Sequence, residues 1–226
     1  MGRNHDRTGN LRAFPDRAAA LARYRELAPK YDASCWAVAG MRRQALALLA
    51  PAEGDVVFDV ACGTGPMLPD LARCVGPRGK VIGIEQSPEM LAIARQRVAR
   101  EGIAGTVTLL QAPVEECEPD AHADRLLFFY THDVFQSSSA LERLFRRARP
   151  GARVVAAGAR LLPWWGAPLN LWTLLRTRRY LTTTRGLGRP WHDLLRYCPD
   201  FAPVANSFLG TSYLGVGTVG EGPAVV

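Results

Sequence analysis

Short apolar runs alternate with longer amphipathic stretches through the middle of this 226-residue chain. Each run has the length of a buried strand, and each stretch repeats its apolar positions at helical spacing. Such alternation predicts an α/β protein whose doubly wound, Rossmann-like sheet is mostly parallel and lies between two layers of helices. The predicted strands are 55–60, 80–85, 106–111, 124–130 and 152–159, and the predicted helices between them are 66–75, 88–101 and 138–148.

Different patterns flank this alternation on both sides. The N-terminal side predicts helices at 15–33 and 36–50, so we expect residues 1–50 to form a helical lid on a single domain whose sheet lies within residues 51–226. After the fifth strand, residues 161–200 break the alternation and predict an inserted helical cap. The remaining predicted elements are a helix near 167–183, a loop at 184–190 and a C-terminal antiparallel hairpin at 203–220.

A turn of small residues follows the first predicted strand. The strand contains Asp59 near its end, and the chain then reads Ala-Cys-Gly-Thr-Gly through Gly65. Small residues at such a turn let the backbone approach a ligand closely. Glu85 ends the next apolar run, about 20 residues further on, where an acid is positioned to bind ribose hydroxyls. Because ligands bind at the carboxyl ends of parallel strands, Asp59 and Glu85 should converge there with Gln111 and Tyr130.

Three kinds of nucleotide ligand compete for this turn. A phosphate-binding P-loop needs Lys followed by Ser or Thr after its last glycine, whereas Pro66 and Met67 follow here. A dinucleotide turn has a third glycine, and Leu68 occupies that position. S-adenosylmethionine (SAM) has no pyrophosphate, so its turn has only to admit the amino-acid moiety. The sequence therefore favours SAM over a nucleoside triphosphate or NAD.

The turn resembles the first motif of class I SAM-dependent methyltransferases, with Ala61 where many members carry a glycine. The stretch 24–32 and residues 40–43 also resemble the lid of quinone-biosynthesis C-methyltransferases and their small-molecule relatives. The resemblance extends well over residues 20–160 and weakly over the rest. It implies that SAM is the methyl donor, that S-adenosyl-L-homocysteine is the product, and that the acceptor is a small molecule.

The resemblance also implies a set of cofactor-binding residues at the strand ends. Gln111 replaces the acid that often lies near the adenine, so the next three residues are expected to contact that ring. Met90 is as readily explained by core packing, and Pro113 is unusual at its position. The expected cofactor-binding residues are Asp59, Ala61, Gly63, Gly65, Glu85, Gln86, Met90, Ala112, Pro113, Val114, Tyr130 and Thr131.

Two side chains are candidates for catalysis. His132 follows the fourth strand, faces the expected acceptor position and titrates near neutral pH, so we expect it to be the base. A structural hydrogen bond or a helix cap is its alternative role. Asp133 either orients His132 or caps the following helix. Tyr31 matches a lid tyrosine that approaches the cofactor in the resembled family, and simple packing is its alternative.

The composition of the chain bears on the charge of its ligand, its cellular location and its cysteine chemistry. The chain has a formal net charge of +7, but the region holding the cofactor loops is acidic, which suits a cationic sulfonium. The N-terminus is polar, and no apolar run approaches the roughly 20 residues needed to cross a bilayer, so we expect a cytoplasmic protein. The five cysteines lack metal-ligand spacing, so neither a disulfide framework nor a metal site is expected.

Other functions remain open at this point. An arginine-rich stretch at 176–196 with interspersed aromatics suits an RNA methyltransferase, although no RNA-binding module is evident and we expect no nucleic-acid partner. Residues 161–180 carry Trp and Arg as interfacial helices do, which suits peripheral membrane contact and a phospholipid-amine N-methyltransferase. The same tryptophan-rich segment suits a small aromatic or apolar acceptor. A SAM-binding protein without turnover is the last alternative.

Overall fold

A computed structural model describes residues 15–221, in which seven strands form one sheet. The strand order is β3-β2-β1-β4-β5-β7-β6, with parallel pairing from β3 through β5 and antiparallel pairing of β7 with both of its neighbours. The strands are β1 (Val56–Val60), β2 (Lys80–Glu85), β3 (Val107–Gln111), β4 (Ala123–Phe129), β5 (Ala148–Ala159), β6 (Ala202–Ser207) and β7 (Ser212–Thr218). The predicted doubly wound sheet with a C-terminal antiparallel hairpin is confirmed.

Eight α-helices surround this sheet within the described residues. They are α1 (Arg17–Leu27), α2 (Tyr31–Ser34), α3 (Ala39–Leu49), α4 (Leu68–Val75), α5 (Pro88–Arg100), α6 (His132–Phe135), α7 (Ser138–Phe145) and α8 (Ala167–Thr177). No helix in residues 15–221 combines the length and the apolar character needed to span a membrane.

Successive side chains of the central strands pack into two separate hydrophobic layers. Val57 belongs to a layer formed with α3, α4 and α5, whereas its neighbour Phe58 belongs to a layer with α7. Both side chains are fully buried. Because successive residues of a strand point to opposite faces, this split is what a sheet covered on both sides requires. The strand order reverses between β1 and β4, so a ligand is expected to bind at the carboxyl ends of these two strands.

Helix α3 packs mainly on one face of the sheet. Its buried side chains, Met41, Ala45 and Leu49, belong to the same layer as Val57 and Val155. The N-terminal part of the chain reaches the ligand edge through α1, α2 and the turns that follow them, and through Arg42 near the start of α3.

Three predicted helices are longer than the observed ones. The expected helix at 15–33 ends at Leu27, because Pro29 lacks a backbone N–H and its ring blocks a continuous helix; a 3-10 turn and α2 follow. The expected helix at 138–148 ends at Phe145, since the carbonyl of Arg147 already accepts from Ala123 of β4 at 2.7 Å. The expected helix near 167–183 ends at Thr177, and the chain turns so that Thr182 and Thr183 become buried.

The helix that follows β2 begins as predicted. Ser87 is its N-cap, and its side-chain oxygen accepts from the backbone N–H of Met90 at 3.3 Å. Pro88 occupies the first turn, where its missing N–H has no intrahelical partner to lose. This start places the chain between Glu85 and Met90 directly at the carboxyl end of β2.

Candidate active site

The turn after β1 has three residues in the left-handed backbone region, and its two glycines serve different purposes. Ala61, Gly63 and Gly65 have φ values of 52°, 59° and 70°. A Cβ added to Gly63 would meet only the ring of Tyr31, at 4.0 Å, so this glycine keeps the backbone open toward a cavity. A Cβ added to Gly65 would overlap the side chain of Leu68, so this glycine lets α4 begin tightly against the turn.

Glu85 is buried and held by the backbone. One carboxylate oxygen accepts from the N–H of Ser87 at 2.7 Å, and the other accepts from the N–H of Gly63 at 3.0 Å. Burial raises the pKa of this carboxyl, and the backbone N–H donors partly oppose the rise. These two bonds tie the ends of β1 and β2 together and fix the orientation of the acid.

Asp59 is the second buried acid at this edge. Its side chain is 3% exposed, and its Oδ2 has no hydrogen-bond partner among the described residues. Burial and, to a smaller extent, the negative charge of Glu85 raise the pKa of Asp59 to about 7, with Arg42 partly opposing the rise. Two acids therefore share one buried region with an unused acceptor atom, which suits a cationic ligand.

Two neighbouring cavities open at the carboxyl ends of the strands. The first, called the strand-end cavity, has a volume of about 370 Å³. It contains every predicted cofactor-binding residue except Asp59 and Gly65. Asp59 lines the second cavity, whereas Gly65 lines neither because it faces Leu68 and Ala94. The predicted cofactor-binding residues in the wall of the strand-end cavity are Ala61, Gly63, Glu85, Gln86, Met90, Ala112, Pro113, Val114, Tyr130 and Thr131.

The second cavity, called the aromatic cavity, has a volume of about 320 Å³. It lies between the turn after β1, the N-terminal helices, α8 and the hairpin. Arg42, Arg176 and Arg179 contribute cationic side chains to a wall that also contains eight aromatic residues. The aromatic residues of the wall are Tyr24, Tyr31, Phe129, Tyr130, Trp172, Tyr180, Phe208 and Tyr213.

Three tyrosines form the partition that both cavities share. The ring of Tyr31 packs edge-on against Tyr24 at 6.3 Å and against Tyr180 at 6.0 Å between centroids. The hydroxyl of Tyr24 donates to the carbonyl of Tyr180 at 3.1 Å. Burial raises the pKa of Tyr31 well above its usual value, so its hydroxyl stays neutral at ordinary pH. A neutral ring here separates the two cavities without adding charge.

His132 also lines both cavities, and its tautomer follows from one contact. Its Nε2 lies 2.8 Å from the carbonyl oxygen of Arg185, which only accepts, so Nε2 carries the proton. Its Nδ1 is buried and has no partner among the described residues. Burial lowers the pKa of His132 to about 4, so the imidazole is neutral at pH 7 with a free lone pair on Nδ1.

The residues on either side of His132 are also anchored from a distance. Tyr130 has a φ of 60°, which is unusual for a bulky residue, and its hydroxyl lies 3.1 Å from that of Ser212 on β7. Asp133 accepts from the hydroxyl of Thr182 at 2.5 Å. It therefore neither orients His132 nor caps α7, whose N-cap is Ser137. The cap segment is thus attached directly to the end of β4.

A polar cluster joins the N-terminal helices to the glycine turn. Asp32 on α2 accepts from the hydroxyl of Thr64 at 2.5 Å and forms an ion pair with Arg97 of α5. Arg97 also donates from Nε to the carbonyl of Thr64 at 3.0 Å. We call Asp32, Thr64 and Arg97 the lid latch. It holds Tyr31, the neighbour of Asp32, over the turn.

Sequence reasoning missed several residues of this site. Arg42 lies within the family-like residues 40–43 but was assigned no role, and Tyr180 reaches the site only because the chain turns after α8. Tyr24 had a detectable signal, since it precedes Tyr31 by two helical turns in a predicted helix, which places both rings on one side. Asp32 was within the family-like stretch, but its partners lie on other elements.

Comparisons with known proteins agree with this geometry. A family model described as a methyltransferase domain matches residues 57–151. The ubiquinone/menaquinone biosynthesis C-methyltransferase UbiE of Pseudomonas putida is 30% identical over 139 residues, which cover 58% of this chain and 54% of that protein. The chain thus spans about half the length of the curated relatives it matches.

Solved structures show the same fold at lower identity. A SAM-dependent methyltransferase from Aquifex aeolicus is 21% identical, with a TM-score of 0.58 over 88% of this chain and 97% of that chain. An RNA methyltransferase from Salinibacter ruber, in complex with S-adenosyl-L-homocysteine, is 20% identical, with a TM-score of 0.54 over 82% of this chain and 94% of that chain. At these identities the likeness concerns the fold alone.

Proposed function

We propose that this chain, which is similar to methyltransferases in sequence, acts as a class I SAM-dependent methyltransferase and transfers a methyl group from SAM to a small aromatic or apolar acceptor. The donor would occupy the strand-end cavity, and the acceptor would occupy the aromatic cavity. Tyr31, Tyr130 and His132 lie in the wall of both cavities, so the two ligands would meet beside these side chains.

The observation that carries this proposal is the pair of buried acids. Asp59 and Glu85 are buried deeply enough to raise the pKa values of both, and Oδ2 of Asp59 has no hydrogen-bond partner within residues 15–221. SAM carries a sulfonium and an ammonium, so its positive charges would offset the cost of burying the two carboxylates. A neutral ligand of the same size would leave that cost in place.

Separate parts of the strand-end cavity suit separate parts of the donor. Glu85 would bind the ribose hydroxyls from the end of β2, as its spacing from the glycine turn predicts. The hydroxyl of Thr131, which is buried without a partner among residues 15–221, would bind the amino-acid moiety. Asp59, which lines the adjoining aromatic cavity, would reach the same moiety beside the residues that both cavities share. Met90, Ala112 and Val114 offer apolar contact to the adenine ring. The volume of about 370 Å³ is within the range of small-ligand pockets.

The aromatic cavity favours a compact ring over a polymer. Its partition of three tyrosines and its cover by α8 leave room for a small molecule, and aromatic walls bind flat apolar groups well. The nearby arginines suit an acceptor with a phenolic or acidic edge. This shape favours a small acceptor over RNA, and the similarity to UbiE makes an activated aromatic carbon the first atom to test.

The chemistry needs alignment more than strong base catalysis. When bound, SAM supplies a methyl group on a sulfonium and leaves as S-adenosyl-L-homocysteine after displacement. Holding reactants in a near-attack arrangement contributes roughly 7–11 kcal/mol of barrier reduction. Tyr31 and Tyr130 would fix the approach and exclude water. Nδ1 of His132 would accept the proton that the acceptor loses, since Nε2 is occupied by the carbonyl of Arg185.

The placement of the donor can be tested by titrating the protein with S-adenosyl-L-homocysteine. Glu85→Ala should weaken binding by about 10–150-fold, because hydrogen bonds to a charged carboxylate would be lost. Glu101→Ala removes a matched surface acid outside both cavities and should leave affinity unchanged. Thermal melting of each variant checks that the fold persists. Unchanged affinity in a folded Glu85→Ala protein would refute this placement of the ribose.

The acceptor class can be tested with the intact enzyme. Release of S-adenosyl-L-homocysteine should be stimulated by phenols, catechols or quinols and not by RNA. Stimulation by RNA alone would overturn the small-acceptor proposal while leaving donor binding intact.

A further inference from the structure

Helix α8 presents its apolar side to solvent. Pro168, Leu171, Trp172 and Leu175 follow one another at the spacing of a single helix face, and all four are exposed in the described structure. Leu171 is 60% exposed and Leu175 is 55% exposed. A helix on the surface of a protein normally has the opposite orientation, so this face calls for a partner.

The polar side of the same helix points toward the protein. Asn170 is bound twice to the backbone of Leu162, accepting from its N–H and donating to its carbonyl at 2.8 Å each. Thr173 is buried and donates to the carbonyl of Leu169, and Thr177 donates to that of Thr173. The two bonds to Leu162, which lies outside the helix, and the burial of Thr173 fix the rotation of α8, so the outward direction of the apolar face is built into the fold.

Neighbouring segments extend this apolar face. Trp164 is 88% exposed just before α8, and Leu209 is 80% exposed at the tip of the β6–β7 hairpin. Arg176 joins the two segments, since its guanidinium lies 5.2 Å from the ring of Trp172 and 4.4 Å from that of Phe208. We call Trp164, Trp165, Leu171, Trp172, Leu175 and Leu209 the apolar patch.

The charge around the apolar patch has one sign. Residues 161–192 contain five arginines and no acid. Arg178, Arg179 and Arg189 are exposed beside the patch-bearing helix and the loop after it. Tryptophans and leucines surrounded by arginines are complementary to a surface with apolar depth and negative headgroups. A partner protein would have to match the same acid-free fringe with a concentration of carboxylates.

We propose that the apolar patch docks on the surface of a membrane containing anionic lipids. The 11 residues of α8 are about half of what a spanning helix needs, so the helix would lie in the interface with Trp164 and Leu171 immersed. Trp172, Arg176 and Phe208 line the aromatic cavity as well, so docking would place that cavity against the bilayer. Resting on the proposed function, the acceptor would then be an apolar molecule that enters from the lipid phase.

Co-sedimentation of the full chain with vesicles tests the docking directly. Binding is expected to phosphatidylcholine vesicles that contain phosphatidylglycerol and to be much weaker to phosphatidylcholine alone. Trp164→Glu combined with Leu171→Glu should lower the partition coefficient by more than about tenfold, because less apolar area is immersed. Arg178→Gln combined with Arg189→Gln should lower it by about 30-fold on the anionic vesicles.

A matched control separates binding through the apolar patch from nonspecific adsorption of exposed apolar side chains to vesicles. Val204→Glu removes an apolar side chain that is 54% exposed on β6 and is not part of the apolar patch, and it should leave partitioning unchanged. Titration with S-adenosyl-L-homocysteine, which needs no membrane, should give equal affinities for all these proteins and so tests the donor site separately. Absence of vesicle binding, or equal binding by the Trp164→Glu/Leu171→Glu protein, would overturn the proposal. A lipid-free dimer that these two substitutions dissociate, without vesicle binding, would assign the patch to a second copy instead.

Discussion

The two cavities on either side of the tyrosine partition differ in which parts of the chain form their walls. The strand-end cavity is lined mainly by the chain at the ends of β1 to β4, together with the start of α1, and its Glu85 is held by two backbone N–H groups. The aromatic cavity is shaped by side chains from α1, α2, α8 and the hairpin, which come from distant parts of the sequence. A site whose geometry is fixed by backbone groups keeps that geometry when side chains are substituted. A site formed by side chains can bind a different ligand after one of them is substituted.

This difference divides the proposed reaction between the two regions. The donor needs the same contacts whatever the acceptor, and hydrogen bonds to backbone groups keep those contacts independent of surface sequence. The acceptor pocket depends on Tyr24, Tyr31 and Tyr180, which any change in the lid or cap would move. Substitutions on the donor side should therefore alter binding, and substitutions on the acceptor side should alter turnover.

The largest effect is expected at His132, where the two regions meet. His132→Gln keeps a donor for the carbonyl of Arg185 but removes the lone pair of Nδ1, so kcat should fall by about 10²–10⁴-fold. KM and donor affinity should change little, because the side chain remains similar in size. Steady-state release of S-adenosyl-L-homocysteine with an identified acceptor measures the split between kcat and KM.

The control for that substitution is His192→Gln, which changes an exposed histidine of the cap. Its kcat should match the wild type. Because burial lowers the pKa of His132 to about 4, the wild-type rate should stay independent of this group from neutral pH down toward that value. A folded His132→Gln protein with unchanged kcat would leave His132 with a purely structural role.

A smaller effect, on binding alone, is expected from the protonation of Asp59. Burial raises its pKa to about 7 from 3.8, so below pH 7 the carboxyl of the free protein is mainly protonated. A cationic donor favours the ionised form, so binding should release a proton and strengthen by up to about tenfold per pH unit between pH 5 and 7. Calorimetric titration with SAM in buffers of different ionisation enthalpy measures both quantities.

Asp59→Asn should abolish this pH dependence, whereas Asp70→Asn, at an acid of α4 outside both cavities, should preserve it. The free protein should also become less stable as the pH rises from 3.8 through 7, because the folded state disfavours the charged carboxyl. Removing that charge should raise the free energy of unfolding at pH 8 by about 0.5–2 kcal/mol. A wild-type affinity for SAM that is constant from pH 5 to 7 would contradict the ionisation assigned to Asp59.

The strand-end region was largely predictable from the sequence because its signals are local. The run ending after Asp59, the glycine turn and the acid at Glu85 follow one another at fixed spacing, and parallel pairing brings their ends together. Gly65 shows the limit of that reasoning. Its motif position indicated a ligand contact, whereas the observed geometry uses it for packing against Leu68.

The aromatic region was poorly predictable because its contacts join residues far apart in sequence. The bond between Asp133 and Thr182 and the one between His132 and Arg185 join residues about 50 positions apart, with α7, β5 and α8 between them. No periodicity encodes them, so the predicted helix near 167–183 continued past its true end at Thr177. The apolar residues of α8 have the same spacing as those of a buried helix. Only the structure shows that they point toward solvent.

The smallest effect should come from the lid latch, which joins the two regions across the glycine turn. Asp32→Ala removes the acceptor of Thr64 and the partner of Arg97, so Tyr31 should lose its fixed position. Asp32 is about half exposed, so solvent screening limits the effect to about two- to tenfold on the dissociation rate of S-adenosyl-L-homocysteine. Stopped-flow displacement measures this rate, and Glu26→Ala, an exposed acid of α1, is the control. If Asp32→Ala leaves the dissociation rate unchanged but lowers kcat, the latch serves only the acceptor side and the two regions are independent.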